Sequence, residues 1–283
     1  MNVSTDALTS ILTARVADPA VRAAILGDLA ATDSAAGPQA DAAGVPSESP
    51  DTGVAELAGA AVDLDRERRC GFPEVVFAEG KPAGLVADIM QQLVQAGQSA
   101  FATRASSDQA HAVQQRLPGA EYNPTSRTIH CPRPTDSNAA PRNEAAADPL
   151  VAVVSAGSCD AAVATEALET LKWMQVPCRL IEDVGVAGPQ RLLAHVPFLQ
   201  QMKVVVCVAG MEAALPSVLG GHVGCPVIGV PTSVGYGASL NGITALLSMM
   251  TCCASNVVTV NIDAGFRGGY VAGMMVRQIL DRR

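Results

Sequence analysis

From residue 150 to the C-terminus the chain alternates short β-branched runs with helix-length segments, and this alternation constrains the fold more than any other feature. The runs read LVAVVS, CRLIED, KVVVCVAG, CPVIGVPT and NVVTVNID. Most are continuous in Val, Ile and Leu rather than alternating with polar residues, which predicts strands buried on both faces. Gly and Pro bound them, and the intervals are long enough for helices. Right-handed crossovers between parallel strands then place helices on both sides of the sheet. The fold class predicted is α/β, with a three-layer αβα, flavodoxin-like parallel sheet over residues 150–283. Aromatic residues make up only 3% of the chain against 49% hydrophobic, so Val, Leu, Ile, Ala and Met must fill the core.

The upstream half has a different grammar. Residues 73–78 (PEVVFA) predict a strand, 83–97 a helix, SAFATRAS another strand, and 121–131 (EYNPTSRTIHC) a hairpin around its Asn-Pro turn. Together they predict a small α/β domain over residues 61–149, whose tail at 132–149 reads as a linker. Residues 1–30 carry apolar side chains at helical spacing. Residues 31–60 read as a flexible, disordered linker, because ATDSAAGPQADAAGVPSESPDTG holds almost no large apolar side chain to offset its ordering entropy.

The formal net charge is -8 with no dense Lys/Arg cluster, which argues against a grip on nucleic acid. No apolar run is long enough to span a bilayer, and MNVSTDALTS lacks the charged-then-apolar pattern of a signal peptide. Eight cysteines occur without a CxxC, and the four histidines are scattered. Free thiols in a reducing cytoplasm are the expectation, with no metal site.

In an open parallel sheet, ligands bind beyond the carboxyl ends of the strands. Five loops follow those ends: SAGSCD (155–160), EDVGVAG (182–188), AGMEAALP (209–216), PTSVGYGAS (231–239) and NIDAGFRGG (261–269). All are rich in Gly, small hydroxyl residues or carboxylates. They supply the candidate substrate-binding residues Ser155, Gly157, Ser158, Asp183, Gly210, Met211, Pro231, Thr232, Ser233, Gly235, Tyr236, Asn261 and Asp263. Gly157 and Ser158 stand between a strand and a helix start, where free amides suit a phosphate. Asp160 reads as the N-cap of that helix. Glu212, directly after a buried strand, is expected to be partly desolvated and so fitted for proton transfer. The opposing reading makes it a helix-start carboxylate facing the dipole.

Cys252 and Cys253 are adjacent after SMMT. On a helix neighbours point about 100° apart, so both cannot face one pocket. One packs in the core while the other faces the strand-end crevice, or both are small core residues.

The text from VAGMEAALPSVLGGHVGCPVIGVPTSVGYGAS to TCCASNVVTVNIDAGF, with DLDRERRCGFPEVVFAEGK and ATRAS upstream, closely resembles the pyridinium-3,5-biscarboxylic acid mononucleotide synthase family of nickel-pincer cofactor biosynthesis. The carboxyl-terminal part is similar in turn to aminoimidazole ribonucleotide carboxylases and mutases. The resemblance implies carboxylation of nicotinic acid adenine dinucleotide at ring carbon C5 with CO2, and hydrolysis of its phosphoanhydride to release AMP. It implies Cys253 as the nucleophile, with Cys252 standing where Ser is usual, Glu212 as proton acceptor, and Asp160 as a third catalytic residue. It implies no tightly bound cofactor, leaves room for Mg2+ at the phosphoanhydride step, and suggests a homo-oligomer. The alternatives are an aminoimidazole ribonucleotide carboxylase or mutase, and a non-catalytic nucleotide-binding protein. The mutases carry a Ser-Ala-His segment where this chain reads EDVGVAG, which disfavours the first alternative.

Overall fold

The computed structural model describes residues 53–134 and 148–280, which belong to one compact unit, Asp51–Arg283. The helical segment expected over residues 1–30, the linker as far as residue 52 and most of the second linker lie outside the described residues.

The expected linker ends earlier than residue 60. Strands β1 (Val54–Leu57) and β2 (Ala60–Asp63) form an antiparallel hairpin. Gly59 takes the turn at φ +96°, a conformation that favours a residue without a Cβ. Val62 is buried, and Leu57 and Ala60 pack against the N-terminal core. A one-turn helix α1 (Arg66–Cys70) follows, closed by Gly71 in the left-handed conformation.

Strand β3 (Val75–Phe77), helix α2 (Ala83–Gln95) and strand β4 (Ala100–Thr103) make a βαβ unit with parallel strands. The α2 face that meets the sheet is Val86, Ala87, Ile89, Met90 and Leu93, a helical spacing of apolar side chains. Helix α3 (Ser107–Arg116) begins with a reciprocal cap. The Ser106 hydroxyl accepts the Gln109 N–H at 3.2 Å, and the Gln109 carboxamide accepts the Ser106 N–H at 2.8 Å. The predicted hairpin is β5 (Glu121–Asn123) with β6 (Thr128–Cys131), and the sheet order is β3-β4-β6-β5.

The second sheet holds β7 (Val151–Ser155), β8 (Cys178–Ile181), β9 (Val204–Ala209), β10 (Val227–Pro231) and β11 (Val257–Thr259). All pairings are parallel, in the order β11-β10-β9-β7-β8. Counted within this sheet that is the 2-1-3-4-5 order of flavodoxin-like folds, with its switch point between β7 and β9. Alternate residues of one strand feed two cores. Val151 and Val153 pack with α4 (Ala161–Trp173) and α9 (Gly265–Leu280) on one face. Ala152 and Val154 pack on the other with α5 (Pro189–Leu193), α6 (Val196–Leu199), α7 (Leu215–Gly220) and α8 (Ile243–Met250). Helices α4 and α9 approach closely because Gly269 lacks a side chain; a Cβ there would lie 2.5 Å from the Ala167 carbonyl. Phe101 of β4 joins this core, stacked on Trp173 with centroids 5.2 Å apart.

No helix among the described residues is long and apolar enough to cross a membrane.

Candidate active site

The carboxyl ends of β7, β9 and β10 converge on one buried carboxylate. Asp160 is 3% exposed. Its carboxylate accepts the Thr232 hydroxyl at 2.7 Å, the Gly157 N–H at 2.9 Å and the Gly210 N–H. Those three donors come from three different strand ends, so the carboxylate joins both sides of the switch point. Asp160 does occupy the N-cap position of α4, but its side chain makes no cap bond. It turns back onto Gly157 because these donors would otherwise be buried without a partner. The expected cap is therefore corrected to a strand-end bridge.

Burial pushes the Asp160 carboxyl above its usual range, opposed by the three hydrogen bonds and assisted by the charge of Asp263. A raised folded value means that the folded chain holds a proton the unfolded chain has already lost. Stability from this group is thus full in acid and falls as pH rises through that window. Asp160→Asn keeps the shape: its amide can donate to Thr232 while its oxygen accepts from Gly157. The expected result is a variant at least as stable as the parent near neutral pH. The parent regains ground as pH is lowered toward about 4. Thermal unfolding of both proteins across that range reads it, and a parent that gains on the variant as pH rises contradicts it.

Around Asp160 the strand-end loops are held by their own backbone. Ser155 is buried, and its hydroxyl accepts the Asp183 N–H at 3.4 Å. The Asp183 carboxylate pairs with Arg191 at 2.6 Å. Met211 donates to the Val234 carbonyl at 2.9 Å, and Asp263 to the Pro231 carbonyl at 2.8 Å. The Asp263 carboxylate accepts the Ser233 N–H at 2.8 Å. Gly210 is required by packing: a Cβ there would stand 2.5 Å from the Thr232 hydroxyl and 2.6 Å from the Val234 carbonyl. Gly235 sits at φ +147° with Ser239 against the space a side chain would need.

Backbone strain concentrates on this edge. Asp183, Met211, Ala213, Leu240, Asn241 and Asp263 all have positive φ, as does Arg104 after β4. A non-glycine residue held there costs on the order of 1 kcal/mol, and such residues cluster where a site is pre-shaped. The side chains of Ser158, Glu212, Ser233, Tyr236 and Asn261 are exposed along the same edge. For Glu212 this is a correction. Expected to be desolvated by the strand before it, it instead points into solvent, because the chain turns through Met211 and Ala213 before α7 begins.

The cysteines lie elsewhere. Helix α8 ends at Met250; Cys252 is half-buried and Cys253 exposed, both before β11. The Asn256 carboxamide donates to the carbonyls of Gly220, Val223 and Cys225 at 3.2, 3.1 and 3.1 Å. It thereby ties residues 252–256 to the loop that enters β10. That loop is at the amino edge of the sheet. The expectation that one cysteine faces the strand-end crevice is corrected: within one chain Cys253 is on the opposite edge from Asp160, Glu212 and Ser233.

Two contributors escaped sequence reasoning. Glu166 of α4 is 3% exposed, and Arg104 from the N-terminal sheet reaches it at 3.3 Å. The same guanidinium donates to the Asp263 carbonyl, and Glu166 accepts the Phe266 N–H at 3.1 Å. Arg104 therefore fastens the loop after β11, which carries Asn261 and Asp263, to the N-terminal half. Its signal in the sequence was ATRAS, one of the stretches that carries the family resemblance.

A cavity of about 300 Å³ lies away from this edge, walled by Glu67, Phe72, Arg133, Trp173 and Arg277. None of the predicted site residues lines it, and its arginines are engaged with Glu67 and with the Gly71 carbonyl. Among the described residues no three His, Cys, Asp or Glu side chains gather as a metal-binding group.

Comparison with known proteins divides the chain in two. The family described as LarB/PurE-like N-terminal domain matches residues 54–133, and the family described as AIR carboxylase matches residues 150–283. An uncharacterized protein of Methanocaldococcus jannaschii is 34% identical over 223 residues, which is 76% of this chain and 83% of the relative. A probable N5-carboxyaminoimidazole ribonucleotide mutase of Methanobrevibacter smithii is 29% identical over 131 residues, 45% of this chain and 38% of that protein. A solved PurE2 variant from Treponema denticola aligns over 48% of this chain and 91% of its own, at 16% identity and a TM-score of 0.38.

Proposed function

We propose a reaction for a chain that belongs to the LarB-like family, in which a LarB/PurE-like N-terminal domain precedes an AIR carboxylase domain and the enzyme is of carboxylase or mutase type. The protein carboxylates the pyridinium ring of nicotinic acid adenine dinucleotide at C5 with CO2, and hydrolyses the phosphoanhydride to give the biscarboxylate mononucleotide and AMP.

The chemistry asks for a nucleophile first, because a pyridinium carbon and CO2 are both electrophiles. Addition of the Cys253 thiolate to the ring breaks its aromaticity and leaves an enamine. The enamine β-carbon forms the new bond to CO2. Glu212 takes the proton from C5, the thiolate leaves with its electron pair, and the ring is restored. The ring gains CO2 and loses a proton, and one water is consumed at the phosphoanhydride.

The observation that carries this reading is the stretch TCCASN, in a chain whose strand-end loops are built around the buried Asp160. Exposed Glu212 and Ser158 border that edge, and the hydroxyl and backbone amide of Ser158 suit a phosphate. A mutase acting on aminoimidazole ribonucleotide is the second reading. Against it stands EDVGVAG after β8, where no histidine is present.

The test is mass spectrometry of products after mixing the protein with nicotinic acid adenine dinucleotide, bicarbonate and Mg2+. The expected result is AMP together with a mononucleotide one carboxyl group heavier than nicotinate mononucleotide. Intact dinucleotide, or turnover of aminoimidazole ribonucleotide instead, overturns the reading.

A further inference from the structure

We propose that the cleft between the N-terminal sheet and helix α9 is a binding site for an adenylate, the base entering the cleft and the phosphate lying at its rim. That the adenylate is one half of the dinucleotide rests on the carboxylation reading; that the cleft takes an adenylate does not.

The cleft has a volume of about 220 Å³ and is lined by Arg66, Glu74, Phe77, Thr103, Phe266 and Tyr270. Cavities that enclose a drug-sized ligand begin at about 300 Å³, so this one admits a single ring system and leaves the rest of a ligand outside. Strand order builds it. β3 is the edge strand of its sheet, and Phe77 and Thr103 are direct neighbours across the β3–β4 pair, on one face. Phe266 and Tyr270 stand one turn apart on α9, with ring centroids 5.5 Å apart. Phe77 is 54% exposed, and among the described residues no other ring stacks on it. Flat apolar surfaces on two elements thus line one narrow cleft, the arrangement that takes a base by stacking.

The polar groups select the base. Thr103 is 4% exposed, and its hydroxyl has no hydrogen-bond partner among the described residues, whereas a buried polar group ordinarily has one. The Tyr270 hydroxyl has none among them either. Both can donate to a ring nitrogen. The Glu74 carboxylate accepts the Asp63 N–H at 2.6 Å through one oxygen, which leaves the other to accept an amino group. Hydroxyl donors beside one acceptor match the ring nitrogens and exocyclic amine of adenine. Arg66 is exposed and forms no ion pair with a described residue, and a guanidinium so placed suits a phosphate. Thr103 directly precedes Arg104, whose guanidinium donates to the Asp263 carbonyl, and Phe266 is three residues beyond Asp263. The cleft therefore adjoins the loop after β11, so a dinucleotide with its base here has its other half beside the carboxyl edge.

Calorimetry with AMP, and with UMP as the comparison, tests the site without any turnover. Phe77→Ala truncates an exposed side chain, and Thr103→Val keeps the shape while removing a hydroxyl that has no partner, so both variants are expected to fold, as urea unfolding checks. AMP is expected to bind the parent and to bind Phe77→Ala about ten-fold or more weakly, and Thr103→Val about three-fold or more weakly. UMP, whose base lacks the amine and the second ring, is expected to bind far less well. Failure of AMP to bind the parent, equal binding by both variants, or equal binding of UMP overturns the proposal. The carboxylation assay then separates the two sources of adenylate. A raised KM for the dinucleotide in Phe77→Ala places the adenylyl half of the substrate in the cleft, whereas an unchanged KM with AMP binding lost assigns the cleft to free adenylate. A parent that binds AMP in this way but does not carboxylate the dinucleotide overturns the carboxylation reading and leaves the adenylate site standing.

Discussion

Cys253→Ala is expected to lower ring carboxylation by about a thousand-fold or more, while leaving the unfolding free energy within about 0.5 kcal/mol of the parent. The two halves have separate causes. The side chain is exposed and makes no hydrogen bond to another described residue, so truncation opens no cavity and strands no polar group. The chemistry has no substitute, since without a thiolate the ring offers CO2 no electron-rich carbon. The neighbour is the control. Cys252 is half-buried, with its Sγ 3.8 Å from the Ala254 carbonyl, and Cys252→Ser is expected to retain carboxylation within about two-fold. Both variants are read by product mass spectrometry and urea unfolding. Full activity of Cys253→Ala, or loss confined to Cys252→Ser, removes Cys253 from the mechanism.

The central strands of the second sheet were legible because burial on both faces writes itself as an uninterrupted apolar run, as in VVVCVA of β9, every residue of which is buried. The hairpin of β1 and β2 was not. Its residues, Val54–Leu57 and Ala60–Asp63, follow a Pro-, Ser- and Ala-rich run and hold little apolar bulk of their own. Their pairing is stabilised by packing on a helix some thirty residues later. At the candidate site, reading the loops after each strand singled out one edge of the sheet, since that rule depends on chain direction alone. What it could not supply was which side chains meet. Asp160 and Thr232 are 72 residues apart, and their hydrogen bond depends on strand order. Cys253 shows the same limit in reverse. Its local context is the most telling text in the chain, yet which end of a strand it stands beside follows from where β11 starts.

Arg104→Ala is expected to destabilise the protein by about 3–5 kcal/mol near neutral pH, because it leaves Glu166 as a buried charge without its cation. Burial already pushes the Glu166 carboxyl above its usual range; Arg104 and the N–H groups of Phe266 and Gly265 pull it back. Removing the guanidinium raises it further. Stability from a group with a raised folded value is full in acid and falls as pH rises through that value. The gap between parent and Arg104→Ala should therefore widen as pH rises above the ordinary carboxylate range, and close where Glu166 is protonated in both. Urea unfolding at several pH values measures it, and a gap independent of pH means that the loss is packing rather than charge. Adding Glu166→Gln to Arg104→Ala removes the stranded charge and keeps an acceptor for the Phe266 N–H, so much of the stability should return. Activity should not return with it, because the Asp263 carbonyl is still without the guanidinium that holds it, and Asp263 is what positions the Ser233 N–H. A double variant that recovers stability but not carboxylation separates the two roles of Arg104. One that recovers both reduces Arg104 to a partner for a buried charge.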